Sequence, residues 1–74
     1  MKIYVRDVPD VELESPIAEQ QLVVMVDAWQ HGIAHSQIHV SQNGKKGMLD
    51  TRDINVERTL PDVVFGRVTV VPAA

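Results

Sequence analysis

The chain contains no cysteine. It therefore has neither a disulfide framework nor a thiolate metal site to supplement a small core. It also has no apolar run close to the ~18 residues that span a bilayer. The first ten residues, MKIYVRDVPD, include no apolar signal region and no small-residue cleavage site. We therefore expect a protein that is neither exported nor inserted into a membrane, in keeping with a cytoplasmic location.

Positive charge is also scarce, since the formal net charge is −3. This balance argues against a protein whose main role is to neutralise phosphates, and we expect no direct, sequence-specific binding of nucleic acid. Residues 1–31 hold two basic and six acidic side chains, whereas residues 32–74 hold five basic and four acidic ones. This asymmetry is compatible with two ordinary solvated faces, or with a bipolar surface that orients a protein partner.

What the chain does contain is the composition of a small globular protein. Its 74 residues are 45% hydrophobic and 23% charged. A chain of this length forms one domain, here residues 1–74, and buries only ~60% of the surface that its unfolded form exposes. The pattern predicts an α+β fold, with one main helix at about residues 15–31 packed on an antiparallel sheet of about four strands.

The first half of the chain is predicted to hold a strand, an acidic entry loop and the main helix. Apolar and polar residues alternate over residues 2–7, which predicts a half-buried strand that Pro9 closes. Residues 10–14 form the acidic loop. Ser15 is predicted to cap the helix, and Gly32 suits the left-handed conformation that ends helices.

Within the predicted helix, apolar residues recur with the spacing of one buried stripe. Val23 lies outside this stripe among polar neighbours, so we expect it to be exposed. The expected stripe consists of Ala18, Leu22, Met25, Val26 and Trp29.

The second half is predicted to begin with a β-hairpin. Asn43-Gly44 is a strong two-residue turn signal, and the resulting register pairs Ile38 with Leu49 on the buried face. Residues 51–59 carry both helix and strand signals, and the two alternatives stay open. A turn at Pro61-Asp62, a last strand over residues 63–71 and a frayed end at residues 72–74 complete the prediction.

No group of residues predicts catalysis or a bound cofactor. His31, His35 and His39 are spaced by four, but Gly32 interrupts the helix that would align them. On a strand, His35 and His39 would lie ~13 Å apart, too far for one metal ion. The hydroxyl residues have no flanking nucleophile signature. We therefore expect no enzymatic activity, no metal and no cofactor.

The order strand, helix, strand, turn, strand, short helix, strand resembles the HPr phosphocarrier family. The resemblance is carried by Asn43-Gly44-Lys45 and by Thr51, which stands about where that family has a serine. No histidine precedes the first helix, where the family's active-site histidine belongs. The resemblance thus implies an HPr-like carrier or a regulatory module that lacks the usual active-site histidine.

The whole chain also resembles the small transcription regulators of lytic Xanthomonas phages, and the resemblance is carried especially by residues 33–70, IAHSQIHVSQNGKKGMLDTRDINVERTLPDVVFGRVTV. This resemblance implies a monomeric protein of the bacterial host's cytoplasm that binds the large subunits of host RNA polymerase. It further implies inhibition of initiation by displacement of the σ factor, and promotion of antitermination. On this hypothesis, the expected polymerase-binding residues are Lys45, Lys46, Arg52 and Arg58, with a second candidate surface at Asp10, Glu12 and Glu14.

Overall fold

The computed structural model describes residues 1–65, which form an α+β fold with one main helix against a four-stranded antiparallel sheet. The sheet order follows the chain order, β1-β2-β3-β4. The fold class predicted from sequence is confirmed. The elements are β1 (Lys2–Val5), β2 (Val8–Glu14), α1 (Glu19–Gln30), β3 (Gln37–Gln42), β4 (Lys45–Asp50), a 3₁₀ turn (Thr51–Asp53) and α2 (Val56–Thr59).

The predicted acidic loop is a strand, which corrects the sequence interpretation. β1 and β2 form a hairpin that turns at Asp7, a residue with a φ of 62°. Pro9 lies inside β2 rather than closing β1. Proline is tolerated near the start of a strand, where its missing N–H breaks few ladder bonds. The buried Leu13 opposite Ile3 anchors the added strand to the core.

The main helix begins four residues later than predicted, because Ser15 has another role. The Ser15 hydroxyl donates to the carbonyl of His39 at 2.6 Å and accepts from the amide of Ile17 at 3.3 Å. Ser15 is only 5% exposed. The helix instead starts after Ala18, which provides no side-chain cap. The predicted Ser15 cap is therefore wrong.

The end of α1 is as predicted. Gly32 has a φ of 70°, the left-handed conformation. Its amide donates to the Trp29 carbonyl at 3.0 Å, and the Ile33 amide donates to the Ala28 carbonyl at 2.9 Å. This pair of bonds is the Schellman arrangement, which satisfies carbonyls at the end of the helix.

The buried face of α1 keeps the predicted stripe from Leu22 onward, since Met25 and Trp29 pack against the core, but it loses Ala18 and gains Val23. Leu22 and Val26 are fully buried, but Ala18 is exposed. Val23 is half-buried against the core, so its predicted exposure is wrong, and Val24 is the exposed valine at 68%. Because the helix begins at Glu19, Ala18 lies outside it and cannot extend the stripe.

The β3–β4 hairpin has the predicted turn and register. Asn43 and Gly44 have φ values of 50° and 80°, as a type I′ turn requires. Ile38 pairs with Leu49 on the side that contacts the core. The two residues of the turn thus set the register of the whole hairpin.

Residues 51–59 are mostly helical, which settles the open alternative. After the 3₁₀ turn, Ile54 makes an isolated antiparallel bridge to Val5, and α2 follows with Asn55 as its cap. Pro61 and Asp62 form the predicted turn. Of the predicted last strand, residues 63–65 have no regular secondary structure, and its remainder lies outside the described residues, as do residues 72–74.

The core lies between α1 and one face of the sheet, closed at the β1 edge by residues 54–60. No helix among the described residues is long and apolar enough to cross a membrane. The buried hydrophobic residues are Ile3, Leu13, Leu22, Val26, Ile38, Val40, Ile54 and Leu60.

Candidate functional site

The seven predicted binding residues lie in four places. Lys45 and Lys46 follow the hairpin turn, Arg52 lies in the 3₁₀ turn beyond the far end of β4, and Arg58 lies on α2. Lys46 and Asp50 are four strand residues apart, or ~13 Å, so the lysines and Arg52 are not one contiguous patch. The acidic residues Asp10, Glu12 and Glu14 all lie on β2.

The hairpin tip, defined as residues 42–46, presents two exposed lysines on a well-defined turn. Lys45 pairs with Gln42 and Lys46 pairs with Ser41. Consecutive strand residues point to opposite faces, so the two ammonium groups leave the tip in opposite directions. Within residues 1–65 neither lysine forms an ion pair. Residues 1–65 therefore leave both charges available to a partner.

Arg52, by contrast, is engaged with its own chain through Asp50. Its amide and Nε donate to one Asp50 carboxylate oxygen at 2.9 and 3.1 Å. The other oxygen lies 2.8 Å from Nδ1 of His35. The Arg52 amide, followed by the His35 and Arg52 side chains, holds the pKa of Asp50 at about 2, below its ordinary 3.8, although partial burial opposes this shift. These contacts fix the turn that follows β4.

Arg58 is also used internally. Its guanidinium donates to the Pro9 carbonyl at 2.8 Å and lies 4.1 Å from the centroid of the Tyr4 ring. The ring attracts the cation through its quadrupole. Arg58 thus joins α2 to the β1–β2 hairpin, a contact between residues 49 positions apart that no local sequence signal indicates.

The acidic side chains of β2 project from the sheet face that is opposite α1. We call this face the outer face. Lys2 pairs with Glu14, Glu14 with Ser41 and Ser41 with Lys46, so one row of side chains crosses all four strands. The Lys2 ammonium is 3.1 Å from a Glu12 carboxylate oxygen. The hydrogen bond that the Lys2 ammonium donates to Glu12, together with the negative charge of Glu12, raises the pKa of Lys2. On the outer face, the acidic side chains of β2 therefore lie between Lys2 on the neighbouring β1 and Lys46 on β4, which is two strands away across β3.

The outer face brings one predicted cation, Lys46, together with the second predicted surface. It also carries His39 and Met48, which are exposed and directly opposite each other. The sequence prediction of binding residues did not include these two. Their pairing follows from the Asn43-Gly44 register, so this was the signal that could have found them.

The three histidines are dispersed. His31 lies 2.8 Å from the Asp27 carbonyl, His35 contacts Asp50, and His39 lies on the outer face. No group of three or more histidine, cysteine or acidic side chains in the part of the chain that the structure describes could hold a metal ion.

A depression with a volume of about 1010 Å³ lies between the end of α1 and residues 54–61. Its walls combine apolar Trp29, Leu60 and Phe65 with the charged Arg6 and Glu57. None of the seven predicted binding residues lines it.

No protein-family model, curated protein or solved structure matches the chain.

Proposed function

We propose that this protein is a phage-encoded regulator that binds host RNA polymerase through its large subunits. It inhibits initiation by displacing the σ factor, and it promotes antitermination. The identity of the partner rests on the sequence resemblance. The observation that supports a binding role is the hairpin tip with its two exposed lysines, which form no ion pair within residues 1–65. Lys46 lies on the same sheet face as the acidic side chains of β2.

This arrangement suits recognition of a charged protein surface. Single exposed ion pairs contribute about 0–1 kcal/mol, so no one lysine supplies the affinity. Charges of opposite sign at separate places on the surface instead orient the encounter and accelerate association. On this proposal Lys45 and Lys46 contact the polymerase, and Asp10 and Glu14 exclude the wrong orientation. Arg52 and Arg58 contribute less, because their guanidinium groups are already engaged.

The test is binding to purified polymerase of the host bacterium, as core enzyme and as σ-containing holoenzyme. We expect a stable complex with the core enzyme, release of σ from the holoenzyme on promoter DNA, and readthrough at a terminator. The variant Lys45→Gln/Lys46→Gln should bind at least tenfold more weakly at low salt. A control, Gln20→Glu/Gln21→Glu, lowers the net charge equally on exposed positions of α1 and should bind normally.

Absence of binding to the host enzyme at low salt would refute the proposal. The phosphocarrier alternative has its own test, incubation with phosphoenolpyruvate and the first phosphotransferase enzyme. Phosphorylation of a histidine would favour that alternative, whereas the regulator should remain unlabelled.

A further inference from the structure

We infer that the outer edge of β4 accepts an extended acidic segment of the partner as a fifth strand. This inference rests on the proposed function for the identity of the partner, and it adds the mode of contact. It starts from a difference between the two edges of the sheet. The edge of β1 is covered by residues 53–59, whereas β4 pairs only with β3 within residues 1–65.

The hydrogen-bond alternation of the hairpin identifies which β4 amides face outward. In a two-residue hairpin, the residues beside the turn, Gln42 and Lys45, exchange both backbone bonds, and every second pair does the same. Two contacts agree with this phase. The Thr51 amide donates to the Ser36 carbonyl at 2.8 Å, and the His39 carbonyl faces β2, where it accepts from Ser15. The N–H groups of Lys46, Met48 and Asp50 therefore point away from β3.

These outward groups form a docking site for a strand because backbone bonds supply affinity and alternate side chains supply specificity. The side chains determine which strand fits. Lys46 and Met48 lie on the outer face, and Lys45 lies on the other face at the tip. Lysine on a sheet edge opposes pairing with apolar strands, and opposite charges across two strands favour pairing.

The side chains thus specify the chemistry of the occupant. In an antiparallel fifth strand, an apolar residue opposite Met48 would be followed two positions later by an acidic residue opposite Lys46. A second acidic residue would then face Lys45. The partner segment is therefore extended, free of proline over these positions, and acidic at the end that reaches the tip.

A peptide probe tests this inference without any change to the protein. The probe has eight residues, alternates valine and threonine, and ends in two glutamates. The control probe ends in two lysines. We expect the glutamate probe to shift the amide resonances of Lys46 and Met48 and to slow their hydrogen exchange at least tenfold. The inward amides of Gly47 and Leu49 should change little. Equal effects of both probes, or no slowing, would refute the inference.

The unliganded protein provides a second readout. At low concentration, the outward amides of Lys46 and Met48 should exchange rapidly. Slow exchange that does not depend on concentration would mean that the chain fills the edge with its own residues. Slow exchange that appears only at high concentration would mean that a second copy fills it. Either result would overturn the inference.

Polymerase binding separates this inference from the proposed function. Met48→Pro removes an outward N–H at an edge position where proline is tolerated, and Met48→Thr removes the side chain but keeps the N–H. We expect Met48→Pro to bind the host core enzyme at least tenfold more weakly than Met48→Thr, with both variants melting cooperatively. If the two bind equally, the strand-addition inference fails and the proposed function stands. If the wild type captures the glutamate probe but not polymerase, the proposed function fails instead.

Discussion

Along β1, the chain covers its own sheet edge, whereas along β4 the described residues leave the edge open. The Arg6 amide donates to the Asp53 carbonyl at 2.7 Å, the Asn55 amide to the Tyr4 carbonyl at 2.8 Å, and the Tyr4 amide to the Thr59 hydroxyl at 3.1 Å. At β4 the corresponding positions carry exposed lysines and a half-exposed methionine. One edge is thus built into the fold, and the other is available for contact.

The four predicted cations also have different roles at the two edges of the sheet. Arg58 belongs to the covered edge, where it contacts Tyr4 and Pro9. Arg52 fixes the turn beyond β4 through Asp50. Lys45 and Lys46 alone among these four make no such contact within residues 1–65. A sequence pattern counts all four as equal charges, but their partners distinguish structural cations from available ones.

The largest effect should come from removing the apolar anchor of the covered edge. Ile54 is 2% exposed and bridges to Val5. Ile54→Ala leaves a cavity, so we expect a loss of about 2–5 kcal/mol in the free energy of unfolding. Met48→Ala, at a position that is 50% exposed on the open edge, should change it by less than about 0.5 kcal/mol. Urea unfolding of both variants measures the difference, and similar losses would contradict the distinction between the edges.

The next effect isolates a single hydrogen bond of the covered edge. Thr59 is 7% exposed, and its hydroxyl accepts from the Tyr4 amide. Thr59→Val keeps the shape but leaves this amide without a partner, which should cost about 1–3 kcal/mol. Thr59→Ser keeps the acceptor and serves as the control. If Thr59→Val were as stable as Thr59→Ser, the Tyr4 amide would not depend on this bond.

Much of this architecture could be predicted from sequence where a residue's own conformation decides the structure. Gly32 and Gly44 adopt positive φ values because glycine has no Cβ, and Asn43 tolerates the same conformation, so the turn, the register and the helix end were predicted correctly. The role of Ser15 could not be predicted in this way, because its hydroxyl bonds to His39, which is 24 positions away. The same holds for the contact between Tyr4 and Thr59, which are 55 positions apart.

The candidate binding residues show the same division. The tip lysines were predicted correctly to follow the hairpin turn, since a local signal determines their place. The sequence predicts a loop for the acidic residues because Pro9 indicates the end of a strand, but the pairing of Leu13 with Ile3 overrides that signal. No local pattern could show that Arg58 reaches Pro9 across 49 positions. Tertiary contacts therefore decide which charges remain available.

The contribution of the turn beyond β4 to stability should depend on pH, which separates this turn from both edges. Because the pKa of Asp50 is about 2 in the folded protein and 3.8 ordinarily, its charged form stabilises the fold above pH 3.8. That stabilisation is lost as the pH falls towards 2. Asp50→Asn should therefore be less stable than the wild type at pH 6, and the gap should narrow between pH 4 and pH 2. Chemical unfolding across this range measures the gap, and one that widened on acidification would contradict the assignment.

The smallest effect on stability is expected where the largest effect on binding is proposed. Lys45 and Lys46 are exposed and make no ion pair within residues 1–65. Lys45→Gln/Lys46→Gln should therefore change the free energy of unfolding by less than about 0.5 kcal/mol. The same variant is expected to weaken polymerase binding at least tenfold, or about 1.4 kcal/mol, whereas Lys45→Arg/Lys46→Arg should retain both properties. Denaturant titration and binding measured on the same preparations compare the two quantities. If the variant lost both stability and binding, these lysines would contribute to folding, as the residues of the covered edge do, and would not belong to an open edge.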